Sequence, residues 1–133
     1  MVGPGTGIAA FRSFIHHLAG KKTQMNLVFG CRNETTDNYY AKEWETIPNL
    51  KVLTAFSRAE DSKVYVQHVI KRNMYLAKLI VEENAIIYVS GRAKLMPNSV
   101  EKAFNYILKG LVEDPDEYIK TMKKDRRYQQ EVW

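Results

Sequence analysis

Three glycines alternate across Gly3-Pro4-Gly5-Thr6-Gly7, and a helical pattern begins at the next residue. Ile8, Phe11, Ile15 and Leu18 recur at the three- and four-residue spacing of one helix face. A glycine turn that runs straight into a helix is a phosphate-binding arrangement. Glycine lets the backbone approach a ligand closely, and the first N–H groups of a helix have no partner inside it. Those donors and the positive end of the helix dipole favour an anion. Thr6 adds a hydroxyl donor. On this stretch alone, a glycine turn without a ligand is the alternative. The glycines run G-x-G-x-G, which differs from the G-x-G-x-x-G dinucleotide fingerprint, and no Lys-Ser/Thr pair follows them as in a Walker A loop.

Such a turn normally follows a β-strand. Only Met1 and Val2 precede the first glycine, so the first strand is expected to be largely missing and the chain reads as an N-terminally truncated fragment. Residues 25–30 read as a short buried strand ending in glycine. Residues 38–47 look helical, with Asp37 as N-cap and Tyr40, Trp44 and Ile47 on one face, stopped by Pro48-Asn49. A second complete strand spans 50–56, followed by Ser57-Arg58 and an acidic loop over 59–62. From Tyr65 the pattern is helical: Val66, Val69 and Ile70 share a face, and Leu76, Leu79 and Ile80 continue it in a second segment. An apolar run at 85–89 is the third complete strand, of the kind buried on both faces. Residues 97–112 carry the clearest helical spacing. Asp114-Pro115-Asp116-Glu117 supplies an N-cap, a proline at the first helical position and a glutamate at the third, predicting a helix over 115–124. Residues 128–133 read as a last strand. Strands alternating with helices predict an α/β fold, a doubly wound parallel sheet covered on both faces, in one domain over 1–133.

Composition narrows the function classes. The 133 residues suffice for one core, and 45% hydrophobic with 26% charged residues argue against disorder. No apolar run of eighteen residues or signal-type N-terminus appears, so no membrane association is expected. Cys31 is the only cysteine, which excludes an internal disulfide and suits a reducing, intracellular setting. His16, His17 and His68 lack the spacing of a metal site, so none is expected. The net charge of +5 permits an acidic partner. The basic residues are interleaved with acids, however, unlike a nucleic-acid-binding face.

In parallel α/β sheets, ligands bind beyond the carboxyl ends of the strands. The glycine turn, Gly30-Cys31-Arg32, Ser57-Arg58 and Ser90-Gly91-Arg92 all lie at such ends. The turn suits a pyrophosphate. NAD sites place an acid after the second strand to hold the ribose, whereas NADP sites place positive charge there for the extra phosphate. Gly30-Cys31-Arg32 offers no acid, while Ser57, Arg58 and Lys63 bring a hydroxyl and two cations together. Tyr65 lies close enough in sequence to stack on adenine. Ordinary surface charge is the alternative for Arg58 and Lys63; beside the glycine turn, they favour NADP(H). Cys31 has no histidine near it in sequence to make it a nucleophile. The chemistry this leaves is hydride transfer, in which cofactors react and the protein positions them.

These segments resemble the NADPH-dependent diflavin oxidoreductases, which are similar to cytochrome reductase and belong to the ferredoxin–NADP reductase superfamily. GPGTGIAAFRSFI, VFGCRNETTDNYYAKEWE, AFSRAEDSKVYVQHVI, YVSGRAKLMPNSV and YQQEVW carry the match, in family order and over almost the whole chain. The AKLMP stretch and the short tail lean toward the branch that serves cytosolic iron–sulfur cluster assembly. The resemblance implies a Rossmann-like NADP-binding domain in which Gly5, Thr6 and Gly7 hold the NADPH pyrophosphate and Arg32 also contacts the cofactor. It implies that Ser57 and Arg58 bind the 2′-phosphate, joined by Lys63 and Tyr65, with Gln67 at the end of that motif and Val64 and Val66 also contacting the cofactor. Trp133 matches the aromatic residue that stacks on the FAD isoalloxazine. Glu131 falls where relatives carry a carboxylate near hydride transfer, and Ser90 where cytochrome reductases have a cysteine near the nicotinamide. Ala10 replaces a proline, Arg92 an Asp or Asn, and Ser99 an Asp that contacts the nucleotide. Such enzymes carry FMN and FAD domains upstream and pass electrons from NADPH to FAD, FMN and a protein acceptor. Here that acceptor is expected to be an anamorsin-type iron–sulfur protein in the cytoplasm. A non-catalytic basic binding module and a shorter flavin reductase of the same superfamily are the competing readings.

Overall fold

The computed structural model describes residues 1–59 and 63–133. Most of the acidic loop expected at 59–62 lies outside the described residues. Five strands form one sheet: β1 (Val2–Pro4), β2 (Met25–Cys31), β3 (Leu50–Phe56), β4 (Ile87–Gly91) and β5 (Tyr128–Val132). Their order is β3-β2-β1-β4-β5, and every pairing is parallel. The short β1 is central and includes Gly3 and Pro4, so the glycine motif begins inside the strand. Val28 N–H donates to the Met1 carbonyl at 2.8 Å, which carries the ladder to the first residue.

Side-chain alternation divides the sheet into two apolar layers, as a doubly wound fold requires. Met25, Leu27, Phe29 and Cys31 of β2 pack with α1 (Ile8–Leu18) and α2 (Ala41–Trp44) through Ile8, Phe11, Ile15 and Trp44. Val2, Val28, Ala55, Ile87 and Val89 face the other layer. That layer contains α3 (Val66–Arg72), α4 (Tyr75–Glu82), α5 (Met96–Leu108) and α6 (Pro115–Lys124). Asn49 locks the α1–β2 connection: its side-chain N–H groups donate to the carbonyls of Leu18, Lys21 and Thr23, and its Oδ1 accepts from Gly20 N–H. At α6, Asp114 Oδ1 accepts from Glu117 N–H at 3.1 Å, the predicted N-cap, while the Glu117 carboxylate pairs with Lys120.

Three boundaries differ from the sequence expectation. The helix expected over 38–47 is only Ala41–Trp44, and Asp37 does not cap it. Tyr40 takes a left-handed conformation, φ 66°, which breaks the helix before Ala41. Asp37 instead accepts from Asn33 N–H at 3.2 Å, and Asn33 Oδ1 accepts from both donors of Thr35, so the polar groups satisfy one another within a loop. The strand expected at 85–89 is displaced to Ile87–Gly91, because β5 sets the register: Ile87 N–H donates to the Arg127 carbonyl, and the Ala85 carbonyl accepts from the Arg127 guanidinium. The helix expected over 97–112 ends at Leu108, whose carbonyl accepts from both Leu111 and Val112 in a closing turn.

Candidate functional site

The strand order reverses direction between β1 and β4, and a sheet of this kind opens a crevice at that point, beyond the carboxyl ends of its strands. A cleft of about 1180 Å³ lies there. That is more than the ~300–1,000 Å³ of an ordinary small-ligand pocket, in keeping with an elongated ligand. Gly5-Thr6-Gly7 forms a tight helical turn between β1 and α1, and its Gly5 and Thr6 line the cleft. Gly5 takes φ 58°, a conformation that residues with a Cβ adopt rarely. Gly7 lies against β4, where a Cβ would stand 2.2 Å from the Ser90 carbonyl oxygen.

Each strand adds its own end to the walls. Beyond β2 and β3 the backbones stay paired: Ser57 N–H donates to the Cys31 carbonyl at 2.9 Å, and Arg58 N–H to the Arg32 carbonyl at 2.8 Å. That brings the Arg32 and Ser57 segments side by side. Tyr65, 43% exposed, begins α3: its backbone N–H donates to His68 Nδ1, and its ring lies 5.8 Å from the His68 ring. Trp133 is 58% exposed, yet its backbone is fixed. Its N–H donates to the Gly91 carbonyl at 3.2 Å, and its carbonyl accepts from Ala93 N–H at 2.7 Å.

The cleft brings together Gly5, Thr6, Arg32, Ser57, Val64, Tyr65, Val66, Gln67, Ser99 and Trp133 of the residues singled out from the sequence. Gly7, Arg58, Lys63, Ser90 and Glu131 do not line it. Arg58 and Lys63 are exposed on the segments flanking Ser57 and Val64. Ser90 is 1% exposed, and its hydroxyl has no hydrogen-bond partner among the described residues. Glu131 pairs in register with Ser90 on the edge strand β5 and is exposed. The cleft also takes in Asp37, Tyr39, Leu95 and Met96, which lie in the segments that carry the resemblance but take no ligand role from it. Leu95 and Met96 sit at the start of α5 and Asp37 and Tyr39 in the β2–α2 loop, so only the fold brings them to the same cleft. Cys31 lines the wall as a buried thiol pushed up to about 11, chiefly by burial and then by Asp37 and Glu34, so it is a poor nucleophile near neutrality.

The donors fit an anionic nucleotide: a helix-starting glycine turn, the hydroxyls of Thr6, Ser57 and Ser99, the guanidinium groups of Arg32 and Arg92, and the exposed phenol ring of Tyr65. Among the described residues, no group of three His, Cys, Asp or Glu side chains converges. Among the same residues, no helix is long and apolar enough to cross a membrane.

Residues 1–102 match the family model described as "Oxidoreductase NAD-binding domain". The chain is 44% identical to the NADPH-dependent diflavin oxidoreductase 1 of Xenopus laevis. It is 40% identical to an NADPH–cytochrome P450 reductase of Aspergillus niger and 37% identical to the NADPH-dependent diflavin oxidoreductase 1 of Schizosaccharomyces pombe. Each match covers 100% of this chain but only 24%, 21% and 24% of the relative, so the chain spans about a quarter or less of their length. With a glycine turn at the switch point of an all-parallel sheet and a family match over residues 1–102, the chain belongs to the oxidoreductase NAD-binding domain family.

Proposed function

We propose that this chain is the NADP(H)-binding part of a diflavin reductase that passes electrons from NADPH through FAD and FMN to a redox protein. The convergence of the glycine turn, Arg32, Ser57 and Tyr65 on one cleft at the β1/β4 switch point carries this reading. The hydride chemistry belongs to the nicotinamide and the flavin, and the protein binds and orients them. Gly5, Thr6 and Gly7 hold the diphosphate on the α1 N-terminus, and Arg32 adds charge beside it. Ser57, Arg58 and Lys63 receive the 2′-phosphate, and Tyr65 stacks on the adenine, with Val64, Val66 and Gln67 shaping that end. Ser99 adds a hydroxyl on the α5 side. Trp133 covers the flavin face, because two backbone hydrogen bonds fix where its exposed indole is presented. Ser90 and Glu131 sit at the β4–β5 end nearest that indole and serve the transfer step.

The acceptor is a redox protein, and the AKLMP stretch favours a cytoplasmic, anamorsin-type iron–sulfur partner. A cytochrome P450 reductase role is the second reading, favoured by 40% identity to the Aspergillus niger enzyme. The site is tested by titrating NADP⁺ into isotope-labelled protein and following backbone amide resonances. The reading expects the largest shifts at Gly5, Thr6, Gly7, Arg32, Ser57 and Tyr65. Shifts confined to other surfaces, or none, would overturn it.

A further inference from the structure

We infer that Arg92 is a second cationic clamp on the nucleotide diphosphate, acting across the glycine turn from Arg32. The inference rests on the nucleotide reading of the cleft. Val2 pairs with both Val28 and Val89, and Pro4 with Gly30. Two residues past Val89, Gly91 therefore stands level with Pro4 and Gly30. Arg92 leaves the sheet level with Cys31, one residue short of Arg32, and the two arginines stand one strand to either side of the turn. Strands lie roughly 4.8 Å apart, so the two backbones are about 10 Å apart with the turn between them. Guanidinium groups are long, planar and matched to phosphate oxygens in bidentate geometry, so two of them at that separation suit a diphosphate lying over the turn.

The surroundings favour this use. Arg32, Arg92 and Thr6 line the same cleft. Among the described residues, the ion pairs involve Arg12, His16, Lys120 and Lys123, and neither Arg32 nor Arg92 takes part. Among the described residues, Asp37 is the one acid in the lining, and it accepts from Asn33 N–H. The backbone on both sides of Arg92 is tied to the last residue, with Trp133 N–H on the Gly91 carbonyl and Ala93 N–H on the Trp133 carbonyl. Arg92 is thus presented from a fixed loop, which lowers the ordering cost of a contact. It cannot serve the 2′-phosphate end as well: Ser57 follows β3, three strand spacings or roughly 14 Å from β4.

Two ligands separate the possibilities. NADP⁺ carries the diphosphate, whereas 2′-AMP carries the adenine and 2′-phosphate without it. Calorimetric titration of the 133-residue chain should show Arg92→Ala weakening NADP⁺ by roughly ten- to a hundredfold, the scale of one charged hydrogen bond. Binding of 2′-AMP should be unchanged, which also shows that the variant is folded. Arg92→Lys, which keeps the charge but loses the fork, should fall between. Unchanged NADP⁺ affinity in Arg92→Ala overturns the inference while leaving the nucleotide site standing. Equal losses for both ligands also overturn it, placing the effect on the shared adenine end or on the fold. If the unaltered chain binds neither ligand, the nucleotide reading fails and this inference fails with it.

Discussion

Gly7 and Ser90 touch backbone to backbone: a Cβ added at Gly7 would lie 2.2 Å from the Ser90 carbonyl oxygen and 2.8 Å from its carbonyl carbon. The obstacle is main chain, which has no rotamer to move aside. This contact presses the glycine turn, whose Gly5 and Thr6 line the cleft, against β4. Gly7→Ala must push the turn and β4 apart. It should cost about 1–3 kcal/mol, the usual range for overpacking, and weaken nucleotide binding at the same time. Chemical denaturation and NADP⁺ titration of the variant check both. A variant as stable and as tight-binding as the parent would show that the turn is not seated this way.

Asn49 is 6% exposed and links the segment after α1 to the start of β3 through four side-chain hydrogen bonds. Truncation leaves three carbonyls and one N–H to find other partners. Asn49→Ala should lower stability by about 2–3 kcal/mol, or roughly 10 °C in melting temperature for a domain of this size. The cleft lies at the opposite ends of the strands, so NADP⁺ affinity at low temperature should hold. A melting curve that superimposes on the parent's would contradict the linking role.

The Cys31 thiol is pushed from 9.0 up to about 11. Raising a thiol pKa depletes the reactive thiolate below it, so two units make alkylation at pH 8 about a hundredfold slower than for a free thiol of pKa 9. The rate should climb about tenfold per pH unit up to pH 11. Because Cys31 lines the cleft, bound NADP⁺ should slow it further. Iodoacetamide labelling followed by mass spectrometry measures both effects. Fast labelling at pH 7, or labelling indifferent to nucleotide, would contradict them.

Trp133 is held by its backbone and free in its side chain. In the longer flavoprotein, its stacking on flavin would compete with the nicotinamide ring, with aromatic stacking worth about 0.5–1.5 kcal/mol. Trp133→Ala should raise kcat/KM with NADH relative to NADPH, since the 2′-phosphate contacts are untouched. An unchanged ratio, with unchanged flavin absorbance, would argue that the indole does not cover the flavin.

Much of this was legible in the residues. Apolar runs located β2, β3 and β4 and a weak alternation located β5, whereas β1, expected to be largely missing, forms over Val2–Pro4; Asp114-Pro115-Asp116-Glu117 marked both the start and the cap of α6. What failed was local: helical spacing from Tyr40 to Ile47 did not reveal that Tyr40 would turn left-handed, with the Trp44 ring packed edge-on against its own at 5.5 Å. Nor did periodicity fix the β4 bounds, which depend on pairing with Arg127, some forty residues away. In the cleft, glycines, Ser57 and Tyr65 carry signals that sequence can show, because their chemistry is local. Asp37, Tyr39, Leu95 and Met96 lie in segments of the resemblance, but their residue types name no ligand on their own, and strand order brings them to the cleft.

The central claim is that this cleft distinguishes NADP(H) from NAD(H) by its 2′-phosphate, through Ser57 and Arg58. Calorimetric titration of the parent chain and of Arg58→Ala, each with NADP⁺ and with NAD⁺, tests it most directly. A charged hydrogen bond is worth about 1.5–3 kcal/mol. The account therefore predicts tighter binding of NADP⁺ than NAD⁺ by the parent, a roughly ten- to hundredfold loss for NADP⁺ in the variant, and little change for NAD⁺. Equal affinities in the parent, or equal losses for both nucleotides in the variant, would contradict it.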